Sequence, residues 1–67
     1  MKNYQRRVVN EKKALELKRD RLSTFIAGSF FPQLPQDEQF RLLLQSDVMG
    51  MYSSVLAERI LHFNPKE

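Results

Sequence analysis

Cysteine is absent from this 67-residue chain, tryptophan is absent too, and His62 is the only histidine. Without thiols, neither a disulfide nor a thiolate zinc site can support the fold, and one imidazole cannot build a histidine metal cluster. The two glycines, Gly28 and Gly50, lie too far apart to form a glycine-rich phosphate loop. No apolar run reaches the roughly 18 residues of a membrane span. "MKNYQRR" leads into charged residues instead of a signal-peptide core, so a cytoplasmic chain is expected. A chain this short builds a marginal core at best. With disulfides and metals excluded, oligomerisation is the remaining support.

Catalytic groupings are equally scarce. His62 has Glu58 one turn before it, but the serines occupy another face and no thiol is present, so no nucleophile, base and orienting group converge. Asp37 and Glu38 read as first-turn helix acids, while Glu11, Glu16 and Asp20 are interleaved with cations. The sequence therefore argues against an enzyme, a metal site or a cofactor.

What is present is helix. "NEKKALELKRDRL" is rich in strong helix formers. The spacing predicts a first helix over about 3–27, with Asn3 as its N-cap and Gly28 just past its end. Pro32 and Pro35 interrupt "SFFPQLP", and Pro35 followed by Asp37 and Glu38 suits the start of a second helix running over about 35–63 and closed by Asn64 and Pro65. Two helices of similar length joined by a short connection form an antiparallel hairpin. The expectation is an all-α single domain, 1–67, assembling into a homo-oligomeric helical bundle.

At about 100° per residue, Tyr4, Val8, Leu15, Leu22, Phe25 and Ile26 share one stripe of the first helix, with Glu11 and Lys18 falling inside it. The second helix is apolar over a wider arc. Leu44, Val48, Met51 and Val55 form one stripe and Leu42, Met49, Leu56, Ile60 and Phe63 another. One neighbouring helix cannot cover both. Gly50, which costs a helix about 0.5–1 kcal/mol relative to alanine, belongs to a small-residue ridge of Leu43, Ser46, Gly50, Ser53, Ala57 and Leu61. Such a ridge admits a closely packed helix, so these six residues are the expected oligomer interface.

Net charge is +3, with a sequence pI of about 9.6. The cations of the first helix are scattered around its circumference, which argues against specific duplex binding, because a groove-binding helix concentrates them. A smaller subset is more suggestive. Arg7, Lys18 and Arg21 line one edge of the apolar stripe, and Arg41, Tyr52 and Arg59 form a polar row on the second helix. Together they offer cations for phosphate and an aromatic face for a base. These six are the candidate ligand-binding residues, the alternative being that Tyr52 packs and Arg59 forms an ion pair.

"YQRRVVNEKKAL" and "QSDVMGMYSSVLAERI" resemble a family of short phage proteins related to an open reading frame of a crAss-like phage. Tyr4, Gln5, Arg7, Val8, Glu11, Met49, Tyr52, Val55, Leu56, Arg59 and Ile60 carry the likeness. The architecture is also similar to helical-hairpin phage proteins that oligomerise and sequester cyclic-nucleotide signals of bacterial immunity. These resemblances imply a non-enzymatic phage accessory protein in the cytoplasm of a bacterial host, acting against defence by binding itself and a cyclic oligonucleotide. The alternative is a protein-interaction module that binds and inhibits or redirects a host protein. Metal and cofactor are not expected in either case.

Overall fold

The structure, a computed structural model, describes residues 1–63. The expected closing residues Asn64 and Pro65 lie outside that range. Two helices, α1 (Asn3–Ile26) and α2 (Gln36–Leu61), pack against each other as an antiparallel hairpin, and no strand occurs among the described residues. The hairpin measures 51 × 15 × 13 Å, one layer of two helices.

The helix ends differ in detail from expectation. Asn3 is already helical, and the flanking residue is Lys2, whose backbone N–H donates to Gln5 Oε1 at 2.9 Å. The reach back from the first turn does the work assigned to Asn3, satisfying an amide with a glutamine. At the other end, Ala27 caps α1, and Gly28 keeps a negative φ. Its N–H donates to Phe25 O at 3.1 Å, a tightened last turn that requires no left-handed residue. Pro35 flanks α2 instead of opening it, and Asp37 and Glu38 occupy the first turn as expected.

The connection is short and pinned by side chains. Residues 31–33 make a single 3₁₀ turn with Pro32 near its start. Gln39 Nε2 donates to Leu34 O at 2.9 Å and to Pro32 O at 3.2 Å, so the first turn of α2 holds the loop that delivers it. Gln33 Nε2 donates to Ser29 O at 3.2 Å.

Each helix contributes a stripe whose spacing alternates three and four. On α1 it is Gln5, Val8, Lys12, Leu15, Arg19, Leu22 and Ile26; on α2 it is Leu42, Ser46, Met49, Ser53, Leu56 and Ile60, continued by Phe63. All of these are buried or half-buried, the pattern of an antiparallel coiled coil. Val8, Leu15 and Leu56 are the buried apolar side chains, with Met49, Ile60 and Phe63 packed around them. The phase of α1 therefore differs from the sequence reading. Lys12 and Arg19, not Glu11 and Lys18, lie in the seam, while Glu11 and Lys18 are exposed. Long cationic side chains can lie along apolar surface with their heads at its edge, so they occupy seam positions that a hydrophobicity pattern assigns elsewhere.

Leu56 is 0% exposed, the most enclosed side chain of this small core. Leu56→Ala is expected to destabilise the chain by about 2–5 kcal/mol, read as a large drop in the helix-melting midpoint by circular dichroism, whereas Leu17→Ala, on an exposed face, should leave the midpoint nearly unchanged.

Candidate functional site

Two contacts define the two edges of the seam. On one edge the rings of Tyr4 and Phe63 meet edge to face, with centroids 5.9 Å apart and planes at 82°. On the other, the Ser53 hydroxyl donates to Glu16 Oε1. At about 100° per residue, Arg7, Lys18 and Arg21 fall on the Tyr4 flank of α1, and Arg41, Gln45, Tyr52 and Arg59 fall on the Phe63 flank of α2. By this count Lys18, Tyr52 and Arg59 border the seam on one edge, Arg41 lies further out on the same side of α2, and Arg7 and Arg21 turn toward the outer face of α1 on that side. All six are exposed.

That edge is rich in cations, although the exposed Glu11 lies on the same flank of α1. Arg41 is engaged by its own helix, with Nη2 3.3 Å from Asp37 Oδ2 and Nε 3.2 Å from Glu38 Oε1. Arg7, Lys18, Arg21 and Arg59 make no ion pair among the described residues. Exposed cations of this kind attract an anion at long range and can bind it through charge-assisted hydrogen bonds.

The opposite edge is chemically closed. Glu16 receives the Ser53 hydroxyl, the Arg19 guanidinium at 3.0 Å and the Lys12 ammonium at 3.6 Å. The hydroxyl donation from Ser53 is the largest influence on Glu16, followed by that from Arg19. Partial burial opposes them, and the Glu16 carboxyl is held below its ordinary pKa. An open groove of about 480 Å³ runs along this edge, lined by Val9, Lys12, Lys13, Glu16, Leu17, Asp20 and Ile60. None of the six ligand candidates lines it, and its two lysines are matched by two acids, so it offers no surplus charge to a phosphate.

The small-residue ridge divides between the chain's interior and its surface. Ser53 is buried against α1, Ser46 and Gly50 are half-buried toward α1, and Leu43, Ala57 and Leu61 are exposed. Gly50 faces a long side chain of its own chain. A Cβ at Gly50 would lie 3.5 Å from Arg19 Nη2, so the Arg19 side chain crosses the helix there on its way to Glu16. Glu16 and Arg19 were not singled out from the sequence. Their signal was the run of small residues at Ser46, Gly50 and Ser53, spaced to receive long side chains from the facing helix.

Among the described residues no three His, Cys, Asp or Glu side chains cluster as metal ligands, and neither helix is long and apolar enough to cross a membrane. The His62 ring sits 2.9 Å from Glu58 Oε1 as an exposed pair at the end of α2.

A family model named Sequestin matches residues 2–62, nearly the whole hairpin. The chain belongs to the Sequestin family. No curated protein and no solved structure matches it.

Two outcomes test this reading of the edges. A Cβ at Gly50 makes only ordinary contact with a flexible side chain, so Gly50→Ala should stabilise this sequestin-family chain by about 0.5–1 kcal/mol through helix propensity, measured by chemical denaturation. Because the Glu16 pKa is lowered by folding, its contribution is present above the ordinary carboxylate range and is lost as pH falls through the depressed value. Ser53→Ala should therefore raise the Glu16 pKa in an NMR titration and shrink the difference in melting temperature between pH 7 and pH 3.

Proposed function

We propose that this protein is a non-enzymatic binding protein of phage type that sequesters a cyclic-nucleotide immune signal as a homo-oligomer in the cytoplasm of a bacterial host. The observation that carries the reading is the cationic edge: Arg7, Lys18, Arg21 and Arg59, which make no ion pair among the described residues, lie with Arg41 and the half-exposed ring of Tyr52 on one side of the hairpin. Guanidinium groups suit phosphate because their planar donors match its oxygens, and a tyrosine face accepts a stacked base. The family name supports sequestration as the mode of action. In this mode the protein removes a signal by mass action, so it requires affinity and abundance without turnover.

The oligomer is supported by what one hairpin leaves uncovered. Phe40, Leu44, Val48, Met51 and Val55 are each at least half exposed and follow one face of α2. A contiguous apolar face on a small chain marks an interaction surface. The same face supports the second reading, in which the hairpin docks on a host protein and blocks or redirects it.

Thermal-shift screening against cyclic di- and trinucleotides tests the first reading. A ligand should raise the melting temperature, and Arg59→Ala should abolish that shift while keeping the helix content and unliganded melting temperature of the wild type. A wild type stabilised by none of these nucleotides, together with a host protein captured from bacterial lysate and released by Val48→Glu, would establish the second reading in its place.

A further inference from the structure

The exposed stripe of α2 has a definite centre and a definite charge pattern along its length. Phe40, Leu44, Val48, Met51 and Val55 succeed one another at helical spacing, with Val48 in the middle. Acids stand at one end of this helix, Asp37 and Glu38 in its first turn, and Arg59 stands in its last turn. Two such helices packed parallel would set acid against acid and Arg59 against Arg59. Packed antiparallel, each Arg59 faces the other copy's acids.

We infer that two copies pair antiparallel through this stripe about a two-fold axis at Val48, and that the pairing builds a shared anion site in which Tyr52 and Arg59 of one copy flank Arg41 of the other. The inference rests on the sequestration reading and specifies where its site is completed. Centring the axis on Val48 sets the partner's Arg41 level with Val55, between Tyr52 and Arg59. It also sets the partner's Asp37 level with Arg59. A two-fold axis normal to the plane of two antiparallel helices returns each flank to the same side of the pair. The Tyr52 flank of both copies therefore lines one groove, running from Arg59 past the partner's Arg41 to Tyr52 and repeating in reverse.

Within one chain this arrangement is not available. Arg41 and Arg59 lie eighteen residues apart on α2, about 27 Å at 1.5 Å per residue, too far to grip one phosphate. Across the pair they fall within about one turn of each other. Arg41 arrives with Asp37 and Glu38 attached at 3.3 and 3.2 Å, so they orient its guanidinium. Arg59, set level with the partner's Asp37, is oriented in the same way, so the site presents two guanidinium groups at fixed positions for charge-assisted hydrogen bonds to an anion.

The first measurement needs no ligand. The chain has no cysteine, so Val48→Cys places a single thiol at the axis, where it should cross-link to its own counterpart under mild oxidation, because disulfides need Cβ atoms about 3.5–4.5 Å apart. Leu17→Cys and Leu61→Cys, off the stripe, should remain uncross-linked. Failure of Val48→Cys to cross-link more than these controls overturns the pairing. The second measurement mixes subunits. Arg41→Gln and Arg59→Gln, each shown by circular dichroism to fold, should separately lose binding of an equimolar mixture of cyclic di-AMP, cyclic di-GMP and cyclic GMP–AMP in equilibrium dialysis. Unfolding and refolding the two variants together should restore about a quarter of wild-type capacity, because half of the dimers are mixed and each holds one intact site of two. Wild-type binding without restoration on mixing overturns the shared site and leaves sequestration standing, whereas a wild type that binds none of the three overturns sequestration and the shared site together.

Discussion

A pair of helices has one seam, and whatever each helix cannot bury there must face water or another molecule. This constraint governs the whole chain. α1 places Val8, Leu15, Leu22 and Ile26 in the seam and leaves Leu17 exposed on a largely polar outer surface. α2 is apolar over a wider arc, and only one of its two stripes meets α1. The result is a hairpin with Val8, Leu15 and Leu56 as its buried apolar core and a row of large apolar side chains on its outer face. Apolar burial contributes about 25 cal/mol per Å², so an uncovered stripe of this length is a source of stabilisation that the isolated chain leaves unused.

The polar part of the seam answers a second constraint. Serine, glycine and serine on α2 would leave a gap opposite a helix carrying only leucines. Arg19 and Glu16 fill it, one crossing Gly50 and the other receiving Ser53. Such a pair adds little stability at a half-exposed position, but it has a strong geometric preference. Sliding α1 by one heptad along α2 would place Glu16 away from Ser53 and move Arg19 from Gly50 to the level of Leu43 or Ala57. A polar layer of this kind sets register, the best-attested role of charged groups in helical seams.

The same layer explains which parts of the fold were legible in the sequence. Both helices and their antiparallel connection follow from prolines, helix formers and apolar spacing, and the structure has them within about two residues at each end. The α2 seam was legible for the same reason, since Leu42, Met49, Leu56, Ile60 and Phe63 are all apolar. The α1 seam was not. Val8, Leu15, Leu22 and Ile26 fit two phases equally well, one completed by Tyr4 and Phe25 and the other by Gln5, Lys12 and Arg19. Aromatic rings favoured the first by composition, yet the second allows Glu16 to reach Ser53. The choice depends on a contact between residues thirty-seven positions apart, which periodicity within one helix cannot report. The gathering of Arg7, Lys18, Arg21, Arg41, Tyr52 and Arg59 on one side was only partly legible, because each helix shows its own row but the handedness of packing decides whether the rows adjoin.

The division of labour between the two edges has a physical rationale. A cation recruited to hold the seam is neutralised by its partner and has little attraction left for a ligand, and a cation kept free for a ligand contributes little to folding and adds to self-repulsion. Placing Lys12 and Arg19 with Glu16 on one edge, and leaving Arg7, Lys18, Arg21 and Arg59 without an ion pair among the described residues on the other side, separates these demands. The separation lets the proposed binding edge vary without disturbing register, provided the outer stripe of α2 is kept. That stripe lies beside the free edge and away from the Glu16 layer, so covering it with a second copy brings two cationic edges together while leaving the register-setting layer of each hairpin untouched. In the proposed pair each Arg59 meets the other copy's acids, so charge and the apolar stripe favour the same pairing, and an anion in the resulting groove would add charge-assisted bonds to Arg41 and Arg59. In the proposed assembly, ligand binding and pairing would be coupled with the same sign: each copy that joins would strengthen the site, and each ligand that binds would strengthen the pair.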